Sequence, residues 1–325
     1  MSKISWLFIA SALLAGCGGE DAGALEDTAE AESASREHQS REHQSREHQG
    51  TQGGTYSVTS VLINGEVVGD LSLSATTLVG TLAGKPVSGA DFVGAQVIQE
   101  GPSGDVLEAT IDAIAADPGD PSGEILLYTL SVVDETTGLP SSMCKPDASG
   151  AARAIPAAGS WTESGAHVAD GRVTFGCTSG VIAKCMRWGY KPWKSVPGGA
   201  SMTNYHQACT RMARADYCGD GQSHTQNGTE IDFYDALPIN VNTSGLLMLF
   251  DGAWGPDGAY CIGKERWLKL TDALNAVAPA CKNKFGLTLL TTSPVSSADV
   301  CLVKRGDVPR SSVLIDNRAY LNIGL

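Results

Sequence analysis

Ser57-Val58-Thr59-Ser60-Val61-Leu62-Ile63, followed by Asn64-Gly65 and Glu66-Val67-Val68, reads as a strand, a tight turn and a returning strand. The run is β-branched and partly alternating, and Asn-Gly supplies the positive φ angles that a two-residue hairpin turn requires. Moving outward, Gly80, Gly84, Gly89 and Gly94 punctuate the next stretch, and Gly123-Glu124-Ile125-Leu126-Leu127-Tyr128-Thr129-Leu130-Ser131-Val132-Val133 predicts a long buried strand. No cysteine interrupts this part of the chain. A β-rich unit over residues 56–135 is therefore expected.

Upstream, residues 17–55 have almost no large apolar side chain and contain three related pentapeptides, beginning at Arg36, Arg41 and Arg46. Such a segment cannot bury a core and is expected to be a disordered tether of about 38 residues, with a coil span of about 35 Å. The repeats carry His38, His43 and His48, but a period of five advances about 140° around a helix, so the imidazoles share no face. Before the tether stand Lys3, a short apolar run from Ile4 to Leu14, and Ala15-Gly16-Cys17. That pattern is a secretory signal over residues 1–16, too short to span a bilayer. Because it ends on cysteine it resembles the lipobox of bacterial lipoproteins. The resemblance implies cleavage before Cys17, acylation of Cys17 and attachment to a membrane. Gly18 in the next position points, by the usual sorting pattern, to the outer membrane.

Downstream, residues 136–325 hold Cys144, Cys177, Cys185, Cys209, Cys218, Cys261, Cys281 and Cys301, an even set of eight. Export to an oxidising compartment makes structural disulfides the expected state, and no C-x-x-C spacing supports a zinc ribbon or a redox pair. Thr203 is expected to cap a helix on which Tyr205, Ala208, Cys209, Met212 and Ala213 share one side, ending near Cys218-Gly219. The whole chain is expected to be α+β, a β-rich N-terminal unit followed by a disulfide-stapled α+β domain.

His206-Gln207-Ala208-Cys209 through Ala215-Asp216-Tyr217-Cys218-Gly219-Asp220-Gly221, together with Gly189-Tyr190-Lys191-Pro192-Trp193 and Gly258-Ala259-Tyr260-Cys261, resembles the ADYC domain. This family of exported bacterial proteins, common in myxobacteria, is named for the run at 215–218. The resemblance implies an exported cysteine-rich domain and transfers no catalytic residue.

Two sets of side chains are candidates for chemistry. His206, His224, Asp216 and Asp220 could serve a hydrolase, and His206 lies three residues from Cys209, the spacing of a Cys-His nucleophile pair on a helix. A disulfide at Cys209 is the favoured reading. Arg187, Trp188, Tyr190 and Trp193, flanked by Lys184, Lys191 and Lys194, form a basic aromatic patch suited to an envelope glycan or protein. The acids Asp216, Asp220, Glu230, Asp232 and Asp235 are dense but miss EF-hand spacing, which leaves turns and strand edges as their expected role. A net charge of −13 speaks against nucleic acid as a partner. No cofactor and no metal is expected. The expected function is a non-catalytic binding or structural module, the hydrolase being the alternative.

Overall fold

The computed structural model describes residues 55–134, 137–226, 228–243, 248–269, 285–287, 303–306, 309–320 and 322–324. The expected signal, Cys17, the pentapeptides, Asn227, Cys281 and Cys301 lie outside them. The Asn-Gly turn forms as expected: Asn64 and Gly65 have φ of 53° and 83° and join β1 (Ser57–Ile63) to β2 (Glu66–Val67) in register Ile63↔Glu66.

A three-stranded antiparallel sheet follows, β3 (Gly69–Ser74), β4 (Thr77–Leu82) and β5 (Lys85–Ser88). After a 3-10 turn at Gly89–Phe92 come β6 (Gln96–Glu100), β7 (Val106–Ala116), β8 (Leu126–Val133), β9 (Pro140–Ser142), β10 (Ala154–Trp161) and β11 (His167–Cys177). These pair in the order β10-β11-β1-β6-β7-β8-β9, and a further pairing of Ala154 with Tyr128 joins β10 back to β8. β1, β6, β7, β8, β10 and β11 thus close into an antiparallel barrel, which removes the open edges a flat sheet would leave. Val58, Val61, Val97, Ile111, Leu130, Val173 and Phe175 fill it, and Leu78 and Phe92 join the same core. Tyr128, fully buried, donates its hydroxyl hydrogen to the Thr76 carbonyl at 3.0 Å and accepts the Leu78 amide at 3.1 Å. Burial pushes this phenol up to about 12. The barrel draws strands from both sides of the boundary expected at residues 135/136.

β10 is buried on both faces, which explains its nearly unbroken apolar sequence. Ala154 faces the barrel core, while Ile155, Ala157 and Trp161 pack with Ile125 and Leu127 against Ile182, Ala183 and Met186 of α1 (Val181–Arg187). The other side of α1 presents Val181 and Cys185 to a second core, shared with α2 (Thr203–Ala213). That core is closed by a sheet of β12 (Ile231–Asp235), β13 (Leu249–Gly255), β14 (Gly258–Ile262), β16 (Phe285–Leu287), β17 (Val303–Arg305) and β18 (Ile315–Ala319) in the order β12-β18-β13-β14-β17-β16. β15 (Trp267–Lys269) and β19 (Asn322–Gly324) form a separate parallel pair.

The structure corrects the α+β expectation. The described chain is predominantly β, with α1 and α2 as its two α-helices among the described residues. Helical spacing holds only for the few turns of α1 and α2, and the other described elements of the cysteine-rich half are strands and short 3-10 turns, several of them paired far along the chain. One example is β12, which pairs with β18 in register Ile231↔Ala319. Disulfides join Cys144 to Cys177 and Cys185 to Cys209, the second linking α1 to α2. Cys218 and Cys261 are also disulfide-bonded.

Candidate functional site

α2 begins at Thr203, whose amide is held by the Ser201 hydroxyl at 3.1 Å, and stops at Ala213, earlier than the spacing predicts. Ala215 turns the chain with a φ of 51°, a left-handed conformation that a small residue tolerates better than a β-branched one. The last helical carbonyls are capped from a distance: the Arg266 guanidinium donates to Met212 O at 2.8 Å and to Ala213 O at 3.1 Å.

The turn places Asp216 and Tyr217 in the interior. Asp216 pairs with Arg211 and accepts the backbone amides of Asp220 at 3.1 Å and Gly221 at 3.0 Å. Burial pushes its carboxyl above the ordinary aspartate value, against the pull of Arg211 and Arg214. Tyr217 donates to Asp251 and accepts the Arg266 amide at 2.9 Å. Asp251 in turn receives Arg266 Nε at 2.9 Å and Asn317 Nδ2 at 2.8 Å, and Asn317 Oδ1 accepts the Trp254 indole N–H at 2.7 Å. These groups are almost wholly buried. The charges at their centre persist because each has a partner of opposite sign and further hydrogen bonds.

The polar side of α2 grips two distant turns. Gln207 accepts the Trp161 indole N–H at 3.1 Å and donates to Gly165 O at 2.7 Å, and Arg211 donates to Ser164 O and to Pro256 O. Gly221 meets the first of these turns so closely that a Cβ there would lie 2.4 Å from Glu163 O, which explains a glycine at this point. The helix therefore fastens the β10–β11 turn of the barrel and the β13–β14 turn of the second sheet.

The four hydrolase candidates do not converge. Asp216 and Asp220 share one loop, but His206 lies near the start of α2 while the His224 amide bonds to Arg214 O, eight residues or about 12 Å further along the helix axis. His206 is buried, with its Nε2–H donating to Ile182 O at 2.9 Å and its ring 6.0 Å from that of Trp161. Burial pulls its imidazole down to about 4, so it is neutral near pH 7. The disulfide favoured for Cys209 over a Cys-His pair is present, its partner being Cys185. His224 stands 5.8 Å from the Tyr217 ring.

The basic aromatic patch is mostly interior. Trp188 and Tyr190 belong to the second core, where Tyr190 donates to Asp235 at 2.8 Å. Arg187 is bidentate to Asp117, at 2.7 and 3.2 Å, and reaches Asp147 at 3.3 Å. Lys191 Nζ lies 2.8 Å from Asp120, 2.6 Å from the Ser122 hydroxyl and 3.2 Å from Glu124, and Lys194 also pairs with Glu124. Burial alone would raise Asp120, yet hydrogen bonds from Lys191, Ser122 and the Ile125 amide outweigh it and hold the carboxyl at about 2. Of the four residues, Trp193 keeps part of its ring at the surface while packing on the α1 core. The dense acids of the C-terminal half organise turns as expected: Asp235 accepts the amides of Leu237, Ile239 and Asn240, and Asp232 that of Thr243. Among the described residues no group of three or more His, Cys, Asp or Glu is placed to hold a metal ion.

The model of the ADYC domain matches residues 89–268, more than half of the chain. The protein belongs to the ADYC domain family. No curated protein and no solved structure matches it. In this ADYC domain the signature residues build a junction: Ala215 makes the turn, Asp216 binds the helix arginine and the loop amides, Tyr217 enters the Asp251 network and Cys218 forms a disulfide. Asp251, Arg266, Asn317 and Gln207 are essential parts of that junction which sequence reasoning missed. One signal was present for Asp251, a lone acid in the apolar run Leu249-Phe250-Asp251-Gly252-Ala253-Trp254, which requires a buried partner.

Proposed function

We propose that this chain is an exported envelope protein, lipid-anchored to the outer membrane through Cys17, whose ADYC body is a non-catalytic binding or structural module. The observation that carries the reading is the use of the ADYC region's reactive side chains in holding the fold. His206 is neutral and donates to a backbone carbonyl, Asp216 is taken up by Arg211 and two amides, and Cys209 is in a disulfide. No observation favours the hydrolase alternative, whose two histidines sit beside opposite ends of α2.

The partner of such a module is an envelope glycan or protein, met where Trp193 and Lys194 reach the surface. Palmitate labelling of growing cells tests the anchor: the wild-type chain takes up label and sediments with outer membranes, and Cys17→Ala abolishes both. Equal labelling of the variant would overturn the assignment of Cys17. The non-catalytic reading is tested separately by His206→Gln, which leaves partner binding unchanged if His206 has no chemical role.

A further inference from the structure

Met143 stands apart from the other described methionines. Met186, Met202, Met212 and Met248 are buried, whereas Met143 is half-buried, with its side chain packed on the barrel core. Its main chain is fixed on two sides. The Met143 amide donates to Leu130 O at 2.9 Å, and the next residue, Cys144, is tied to Cys177 by a disulfide. The sulfur therefore has a set position between solvent and a largely apolar interior.

A buried amide waits for it there. On β6 the inward positions are Val97 and Gln99, alternating with Gln96, Ile98 and Glu100. Gln99 is only 2% exposed, and the side-chain hydrogen bond it makes among the described residues runs from its Nε2 to Met143 Sδ at 3.5 Å. A thioether is a weak acceptor, so a buried amide donor is left with much of its hydrogen-bonding capacity unmet. The oxygen of a methionine sulfoxide is a far better acceptor. At most positions that group disrupts the core it enters, because it brings a polar oxygen without a partner. At Met143 the partner is already in place.

We propose that Met143 is a site of oxidation by hydroperoxides, with Gln99 as the positioning residue that accommodates the product. The Met143 Sδ lone pair attacks the terminal oxygen of the hydroperoxide, and the S–O bond forms as the O–O bond breaks. The departing alkoxide takes the proton of the transferred hydroxyl and leaves as an alcohol, or as water when the oxidant is hydrogen peroxide. Sulfur is oxidised by one electron pair and the peroxide is reduced by the same pair. Gln99 Nε2–H then donates to the sulfoxide oxygen in place of the sulfur, so oxidation exchanges a weak hydrogen bond for a stronger one. The inference goes beyond the envelope-module reading and depends on neither the lipid nor the partner.

Limiting hydrogen peroxide on the full chain with its disulfides intact, followed by peptide mass mapping, tests the site. Met143 gains an oxygen at least about tenfold faster than Met186, Met202, Met212 or Met248. A rate at Met202 or Met248 equal to that at Met143 overturns it. The role of Gln99 is read from melting temperatures before and after oxidation. The wild-type chain shifts by less than about 2 °C, while Gln99→Leu, whose sulfoxide faces no donor, falls by about 5 °C. An equal fall in the two chains overturns Gln99 as the positioning residue. Should Gln99→Leu not fold, Gln99→Val makes the same comparison, and the oxidation rates of the wild type decide the site without any variant.

Discussion

The barrel and the ADYC junction are both fully buried, yet they are held by different means. The barrel is lined by aliphatic and aromatic side chains, with the Tyr128 hydroxyl as a polar group reaching the turn at Thr76. The junction around α2 is a chain of ionised and hydrogen-bonded groups, Arg211 with Asp216 and Arg266 with Asp251, Tyr217 and Asn317. Aliphatic packing degrades gradually as atoms are removed, whereas a buried charge that loses its partner pays the whole desolvation penalty. The comparison predicts that the most damaging single substitutions lie in the junction and not in the barrel.

Asp251→Ala strips Arg266, which is inaccessible to solvent, of its counter-charge, and a loss of about 4 kcal/mol is expected by urea unfolding. A smaller loss than that of a barrel truncation would erase the contrast. Leu130→Ala in the barrel removes buried methyl groups and leaves a cavity, for which about 3 kcal/mol is expected in the same assay.

The third expectation concerns pH. His206 is held at about 4 in the folded chain and titrates near 6.5 when unfolded, so the unfolded state binds the extra proton between those values. Stability is complete above pH 6.5, falls as pH drops towards 4 by up to about 3 kcal/mol, and loses nothing further from this group below that. His206→Gln flattens the melting temperature across this window; an unchanged slope would assign the acid sensitivity to another group. The smallest effect belongs to the surface: Lys194→Ala breaks a half-exposed pair with Glu124 and is expected to change stability by less than about 1 kcal/mol in chemical denaturation.

The same contrast explains what could be read from the sequence. The Asn64-Gly65 hairpin and the strand ending at Val133 follow from local turn chemistry and apolar runs, and both are present. Barrel closure through Ala154 and Tyr128 and the pairing of β12 with β18 are long-range, and neither leaves a local periodic trace. The aromatic patch is mostly interior for a related reason. Trp188 and Tyr190 look like a binding surface until the second core is known to cover them, and the cations beside them look free until the loop at 117–124 supplies carboxylates about 70 residues upstream. The helix was legible at its start and misjudged at its end, because its stop is set by Arg266 and by the turn at Ala215.

The described disulfide connections also bear on how the chain is made. Cys144 bonds to Cys177, the next cysteine along the chain, and Cys185 bonds to Cys209, again the next. Neither loop crosses the other. On the proposed export, a chain emerging from its N-terminus into an oxidising space would close each of these two bonds with the first partner to appear, so the order of synthesis would favour these two pairings.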